Sequence, residues 1–140
     1  MKIKVKKIGE RVGDFSYAKE SDAGFDLCAS VRTVLTPGVQ TAVPSGVALE
    51  IPTGYVGLIW DKSGLSIKYG LKTLGGVVDA GYRGEVMVGM INLSDTEHIF
   101  EKGDKVAQML IQKVEHATFE VVDELSDTER GATGFGSSGK

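Results

Sequence analysis

Apolar and polar residues alternate along this chain, and turns bearing proline and glycine break the alternation at close intervals. No other feature constrains the fold as tightly. Val31–Leu35 runs into Thr36-Pro37-Gly38, and Val39–Val43 runs into Pro44-Ser45-Gly46. Val47, Leu49 and Ile51 alternate with Ala48 and Glu50 before Pro52-Thr53-Gly54. Tyr55–Trp60, Glu85–Leu93, Lys105–Val114 and Thr118–Val122 continue the series, and Ile3 and Val5 alternate with lysines at its start. A period of two sends successive side chains to opposite faces, so each run can bury one face of a strand. Proline lacks a ladder donor and glycine tolerates positive φ, which is why both mark chain reversals. Turns spaced roughly 8–12 residues apart are the pattern of an all-β sandwich or barrel, and a jelly-roll-like double sheet suits these lengths. No segment sustains a 3.6-residue period. Ser63-Gly-Leu-Ser-Ile67 allows one short helical turn, with Ser63 as its cap.

The 140 residues fit one domain. From about Ser126 the sequence turns polar and then glycine-rich, so residues 1–125 are expected to form the β-rich domain and 126–140 a flexible arm. A net charge of −3 argues against a general nucleic-acid binder, which needs a basic surface to displace counterions. Cys28 is the only cysteine, so no disulfide framework can form within the chain. No apolar run reaches the length of a membrane span, and Met1–Ile8 alternates charge where a signal peptide would be continuously apolar. A cytoplasmic protein without membrane or nucleic-acid partners is the expectation. The 19 glycines are about twice the usual share, which predicts tight turns or close approach of backbone to a ligand.

Five stretches carry candidate chemistry. Arg130-Gly-Ala-Thr-Gly-Phe-Gly-Ser-Ser-Gly-Lys140 sets a cation, an aromatic ring and hydroxyls among glycines, groups suited to a phosphate chain and a flat base. It matches both G-x-G-x-x-G and G-x-x-x-x-G-K. Those phosphate loops work through a following helix N-terminus, and none follows here, so both are rejected. Gly75–Glu85 suggests a β-hairpin with its tip around Asp79–Gly84, where a carboxylate could serve as general base for a water. In Asp61-Lys-Ser63-Gly-Leu-Ser66, a Ser-Gly pair opening a helical turn offers N–H groups and a hydroxyl to an anion. Gln108 sits among Ala107, Met109, Leu110 and Ile111, where its amide needs partners. Asp26 stands between Phe25 and Leu27, so on a strand it faces away from both. His98 and His116 lack partners at zinc-ligand spacing and suit surface or edge positions. Cys28 suits a small buried hydrophobe and Trp60 a core position, and no G-x-S-x-G elbow is present.

In order and spacing these stretches resemble the five motifs of the trimeric dUTPases. The motifs are Ala23-Gly-Phe-Asp26-Leu, Lys62-Ser-Gly-Leu-Ser66, Gly76-Val-Val-Asp79-Ala-Gly-Tyr82-Arg-Gly84, Gly103-Asp-Lys-Val-Ala-Gln108 and Arg130 to Gly139. The resemblance implies a dUTPase-like β-clip fold that hydrolyses dUTP to dUMP and pyrophosphate. It makes Asp79 the carboxylate that activates water for attack on the α-phosphorus, and Tyr82 the ring that crowds out a ribose 2′-hydroxyl. The hairpin that includes Gly76 and Val78 would read uracil, largely through its backbone. Lys62, Ser63, Gly64 and Gln108 would contact phosphate, and Arg130 would clamp the γ-phosphate. Phe135 would stack on uracil, with Gly136, Ser137 and Ser138 at the phosphates. Asp26 would support the site and the water shell of Mg2+, which is held mainly by triphosphate and water with no direct protein ligand. The resemblance also implies a homotrimer with shared sites, a role in limiting uracil incorporation into DNA, and a supply of dUMP for thymidylate synthesis.

Two positions depart from that pattern. Lys62 stands where arginine is common, which keeps the charge but loses the planar fork. Gly81 stands where many members carry a second aspartate. A dCTP deaminase-like enzyme is similar in fold but needs an acid in the strand after the hairpin, and Met87-Val-Gly-Met-Ile91 has none. A catalytically inactive relative acting as a binding protein would be expected to lose Asp79 or the tail, and both are present. Truncation before Arg130 is expected to cripple turnover while circular dichroism shows the fold intact, because that segment carries no core; unfolding on truncation would make the tail structural.

Overall fold

The computed structural model describes residues 1–8 and 15–132. The alternating runs become strands: β1 Lys4–Lys7, β2 Phe25–Cys28, β3 Thr33–Leu35, β4 Gln40–Pro44, β5 Val47–Glu50 and β6 Tyr55–Trp60. A short helix, α1 Ser63–Tyr69, follows β6. Then come β7 Leu71–Leu74, β8 Val77–Val78, β9 Met87–Asn92, β10 His98–Phe100 and β11 Lys105–Lys113. Gly38, Gly46 and Gly54, in the three turns that punctuate the sequence, have φ of 72°, 71° and 84°, which only glycine adopts without strain.

The strands form a four-stranded sheet, β2-β11-β6-β8, a three-stranded sheet, β4-β9-β7, and the pairs β1-β5 and β10-β3. Every paired ladder is antiparallel. One contiguous core joins the two larger sheets, with Leu27, Ile59 and Met109 from the first and Val43, Leu71, Val88 and Met90 from the second. This is the expected double-sheet architecture. At its edge Asn92, fully buried on β9, donates from Nδ2 to the Leu35 and Thr96 carbonyls at 2.9 and 2.7 Å. Its Oδ1 accepts from the Ser94 amide and hydroxyl at 3.0 and 2.8 Å, so this buried amide is well satisfied.

Strand β11 lies between β2 and β6 and carries an irregularity. Lys105 pairs with Cys28, Ala107 with Leu27 and Gln108 with Asp26, so one extra residue is accommodated between Lys105 and Ala107. Val106 and Ala107 are both buried in consequence. Lys105 and Gln108, three apart in sequence, stand opposite residues two apart on β2 and so share a face.

Several expectations are corrected. Thr118–Val122 is not a strand, and Phe119 and Val121 are 94% and 99% exposed, because none of the described strands pairs with this segment. Asp79–Gly84 is not the tip of a two-stranded hairpin, since β8 pairs with β6 while β9 pairs with β4 and β7. Asp79–Val86 therefore carries the chain from one sheet to the other. Ser63 does not cap α1 but is its first residue; Lys62 occupies the cap position and its side chain makes no cap hydrogen bond. Trp60, at the end of β6, is 54% exposed and outside the core. Cys28 is only partly buried. His98 keeps the expected edge position, on the β10-β3 pair, and packs between Tyr69 and Phe100, with ring centroids 5.0 and 4.8 Å away, where burial lowers its pKa below 6.5.

Met109 is fully buried where β11 crosses the core. Met109→Ala should destabilise the fold by about 2–5 kcal/mol, the usual cost of emptying such a site. Urea unfolding would measure it, and an unchanged midpoint would mean that the core closes over the gap.

Candidate active site

The register of β11 gathers the first group of candidate residues. Gln108 stands opposite Asp26 on β2 and opposite Trp60 on β6, two residues before Lys62. Its Nε2 donates to the Asp61 carbonyl at 2.9 Å, which supplies the partner its apolar neighbours cannot. Asp26 is gripped from both sides: Lys62 Nζ donates to Oδ1, and Lys105 Nζ lies 2.7 Å from Oδ2. Burial alone would raise the Asp26 pKa, but hydrogen bonds from Lys105 and Lys62 and their charges hold it below 3.8. Lys62, Ser63, Gly64, Lys68, Lys105 and Gln108 line a cleft of about 360 Å³. Three lysines around one cleft make a local cationic field in a chain of net charge −3.

Asp79 and Tyr82 line a second cleft of about 220 Å³, together with Val77, Val78, Glu85 and Met87. Val78 is buried on β8 and anchors the segment to β6. Gly76, just before it, has φ 104°, and its carbonyl accepts from the Ile59 amide at 2.7 Å. A Cβ at Gly76 would lie 2.8 Å from the Ile59 carbonyl oxygen, so the close approach needs glycine. The Tyr82 amide donates to the Asp79 carbonyl at 3.0 Å, and the Tyr82 hydroxyl donates to the Glu85 carbonyl at 2.9 Å. The ring lies across Gly84, where a Cβ would fall 2.4 Å from the Tyr82 hydroxyl oxygen. The Glu85 carboxylate accepts from the Gly46 amide at 2.7 Å. Asp79 itself is exposed.

The two clefts share no lining residue, so one protomer brings Lys62, Ser63, Gly64 and Gln108 together with Asp26, and separately brings Asp79 together with Tyr82 and Val78. Arg130 is exposed in a stretch without strand or helix. Phe135, Gly136, Ser137 and Ser138 lie outside the described residues. Lys68 and Lys105 went unrecognised in the sequence, although Lys105 stands within the Gly103–Gln108 stretch and Lys68 in the last turn of α1. Among the described residues no group of three or more His, Cys, Asp or Glu side chains could hold a metal ion. Nor is any helix among the described residues long and apolar enough to cross a membrane.

A double-sheet β fold with a lysine-rich cleft, and a separate carboxylate beside a fixed tyrosine ring, describes a protein built to take a small anionic ligand. The dUTPase family model matches residues 10–139. A deoxyuridine 5′-triphosphate nucleotidohydrolase of Thermobifida fusca is 46% identical, over 88% of this chain and 70% of its own length. One from Corynebacterium glutamicum is 43% identical over 99% of this chain and 95% of its own. Among solved structures, a mutant dUTPase of Staphylococcus bacteriophage 80alpha with dUpNHpp has a TM-score of 0.89 at 29% identity, covering 99% of both chains. A mutant dUTPase of the S. aureus phage phi11, described for its coordination of a structural Mg(II) ion, has a TM-score of 0.81 at 27% identity, covering 89% of this chain and 98% of its own. The chain belongs to the dUTPase family, the dUTP diphosphatases.

The depressed pKa of Asp26 has a stability consequence. A carboxyl held below 3.8 in the folded state contributes stability that is complete above that value and is lost as pH falls through the folded pKa. Asp26→Asn should therefore lower Tm at neutral pH, with the gap to wild type closing as the pH is taken below 3.8. A gap that stays constant across that range would show that the lysines do not favour the ionised form.

Proposed function

We propose that this chain hydrolyses dUTP to dUMP and pyrophosphate by water attack on the α-phosphorus, with Asp79 as the base. The single observation that carries the reading is that Asp79 shares its cleft with a tyrosine ring fixed on both sides of the loop. Tyr82 in that position excludes a 2′-hydroxyl, so dUTP is taken and UTP refused. Asp79 accepts a proton from the attacking water, the new P–O bond forms at the α-phosphorus, and the bond to the β-phosphate breaks to release pyrophosphate. Reactions of this kind depend on positioning and charge neutralisation more than on covalent chemistry.

The lysine-lined cleft takes the phosphates through Lys62, the Ser63 hydroxyl, the Gly64 amide and Gln108. Mg2+, carried by the triphosphate and water and with its water shell supported by Asp26, would neutralise charge on the phosphates. Gly76 and Val78 present backbone groups to uracil. Arg130 and the residues beyond it, Phe135, Gly136, Ser137 and Ser138, complete the proposed site over γ-phosphate and base. On this reading residues 1–125 are the catalytic domain and 126–140 an arm that closes it. The separation of the two clefts within one protomer supports a homotrimer whose sites are shared between chains. The expected setting is the cytoplasm, where the reaction limits uracil incorporation into DNA and supplies dUMP for thymidylate synthesis.

A deaminase reading is disfavoured by the residues around the second cleft. The acid that could compete with Asp79 there, Glu85, already accepts a hydrogen bond from the Gly46 amide, and β9 contributes none.

A pyrophosphate-release assay with dUTP, UTP, dTTP and dCTP tests the proposal, and equal rates on UTP and dUTP would sink the role given to Tyr82. Asp79→Asn should lower turnover by about 100- to 10,000-fold, the range for loss of a general base, while leaving nucleotide binding in place. Full activity in that variant would remove Asp79 as the base. Gly84→Ala should displace the Tyr82 ring and erode discrimination against UTP by about tenfold, within the span of single-contact specificity effects.

A further inference from the structure

We infer that Asp61 is a positioning residue for phosphate binding, a cross-sheet staple that fixes the Lys62-Ser63-Gly64 turn and the Gln108 amide relative to each other. The inference rests on the reading of those residues as phosphate contacts. Asp61 follows the last residue of β6, in the four-stranded sheet, and immediately precedes the turn that opens α1. Its side chain reaches across to β7, in the three-stranded sheet. Oδ1 accepts from the Thr73 amide at 2.7 Å and from the Thr73 hydroxyl at 2.7 Å, and Oδ2 lies 2.6 Å from Lys72 Nζ. Its own carbonyl accepts from Gln108 Nε2 at 2.9 Å. One residue is thus tied to three strands, and the lining of the phosphate cleft begins at the next residue in the chain.

The chemistry of the contacts gives the staple its strength. Thr73 is buried, and Asp61 supplies the oxygen its amide and hydroxyl both use. Hydrogen bonds to an ionised acceptor are shorter and about twice as strong as neutral ones. Burial would raise the Asp61 pKa, yet hydrogen bonds from Lys72 and Thr73 hold it below 3.8, so the acceptor stays ionised at neutral pH. The hold on Gln108 also sets its direction. With one amide hydrogen committed to the Asp61 carbonyl, the rotation of the carboxamide is fixed, and the second hydrogen is the donor left for a ligand. A turn of exposed residues such as Ser63 and Gly64 has little packing of its own to hold it, so its placement depends on this anchor.

The test separates placement of the phosphate cleft from general stability. Affinities for α,β-imido-dUTP with Mg2+ and for dUMP are measured by calorimetry on wild type, Asp61→Ala, Asp61→Asn, Thr73→Val and Thr73→Ser. dUMP lacks the β- and γ-phosphates and so leans less on this cleft. Asp61→Ala should weaken triphosphate binding about tenfold, the scale of one lost charge-assisted hydrogen bond, and leave dUMP binding within about twofold. Thr73→Val should shift the triphosphate in the same direction by less. Thr73→Ser, which keeps the hydroxyl in place, should recover most of the loss seen in Thr73→Val, and Asp61→Asn, which keeps an oxygen without the charge, should recover part of the loss seen in Asp61→Ala. Equal weakening for both ligands would mark Asp61 as merely structural, and unchanged triphosphate affinity would remove it from the site. If Asp61→Ala does not fold, the contrast between Thr73→Val and Thr73→Ser decides on its own: a triphosphate-selective loss in the first that the second restores upholds the inference, and any other pattern overturns it. Failure of wild type to prefer dUTP over UTP would instead overturn the functional reading.

Discussion

The pairing of β11 with both β2 and β6 is the constraint on which the rest depends. These ladders bring together segments separated by more than eighty residues and set Asp26, Gln108 and the start of α1 side by side. The same strand buries Val106, Ala107 and Met109 in the core. Apolar burial therefore fixes the register, and the register in turn places the polar side chains. Stability and site geometry cannot be varied independently here, because a slip of one residue would exchange the buried and cleft-facing sets.

The field in the lysine-lined cleft is local. Asp26 neutralises part of the charge of Lys62 and Lys105 and holds both ammonium groups in one place, so their mutual repulsion is offset before any ligand arrives. Lysine is a compact, mobile charge without the planar fork of arginine. A carboxylate that pins two such groups supplies some of the orientation that a guanidinium has by its own geometry. The Tyr82 ring is held by a different means, packed across a glycine and tied by its hydroxyl to the Glu85 carbonyl.

Much of this was legible in the sequence, for reasons that also explain what was not. The turns at Gly38, Gly46 and Gly54 were readable because positive φ is a local demand with a local signature. Gln108 was recognisable as an amide in an apolar strand in need of a partner, but the identity of that partner, a backbone carbonyl at position 61, depends on which strands pair. Thr118–Val122 shows the limit most plainly: alternation states that a segment could line one face of a sheet, and cannot state that a neighbouring strand is there to receive it. The Asp79–Gly84 segment has the composition of a hairpin tip but joins strands of different sheets, a distinction that lies in long-range pairing alone. Lys62 at the cap position of α1 follows the same logic, since its side chain is drawn to Asp26 on another strand. Asp61 carried the weakest signal, because one acid after a strand resembles any solvated loop residue until Thr73 is brought beside it.

The extra residue accommodated in β11 makes the backbone path of that strand as binding as its composition. Every position beyond the irregularity is out of phase with those before it, so a regular strand of the same length would turn Lys105 toward the interior, where an unpaired ammonium is costly. A transplant of the Lys105–Gln108 segment into another β-scaffold would need to carry the irregularity with it for the two side chains to emerge on one side.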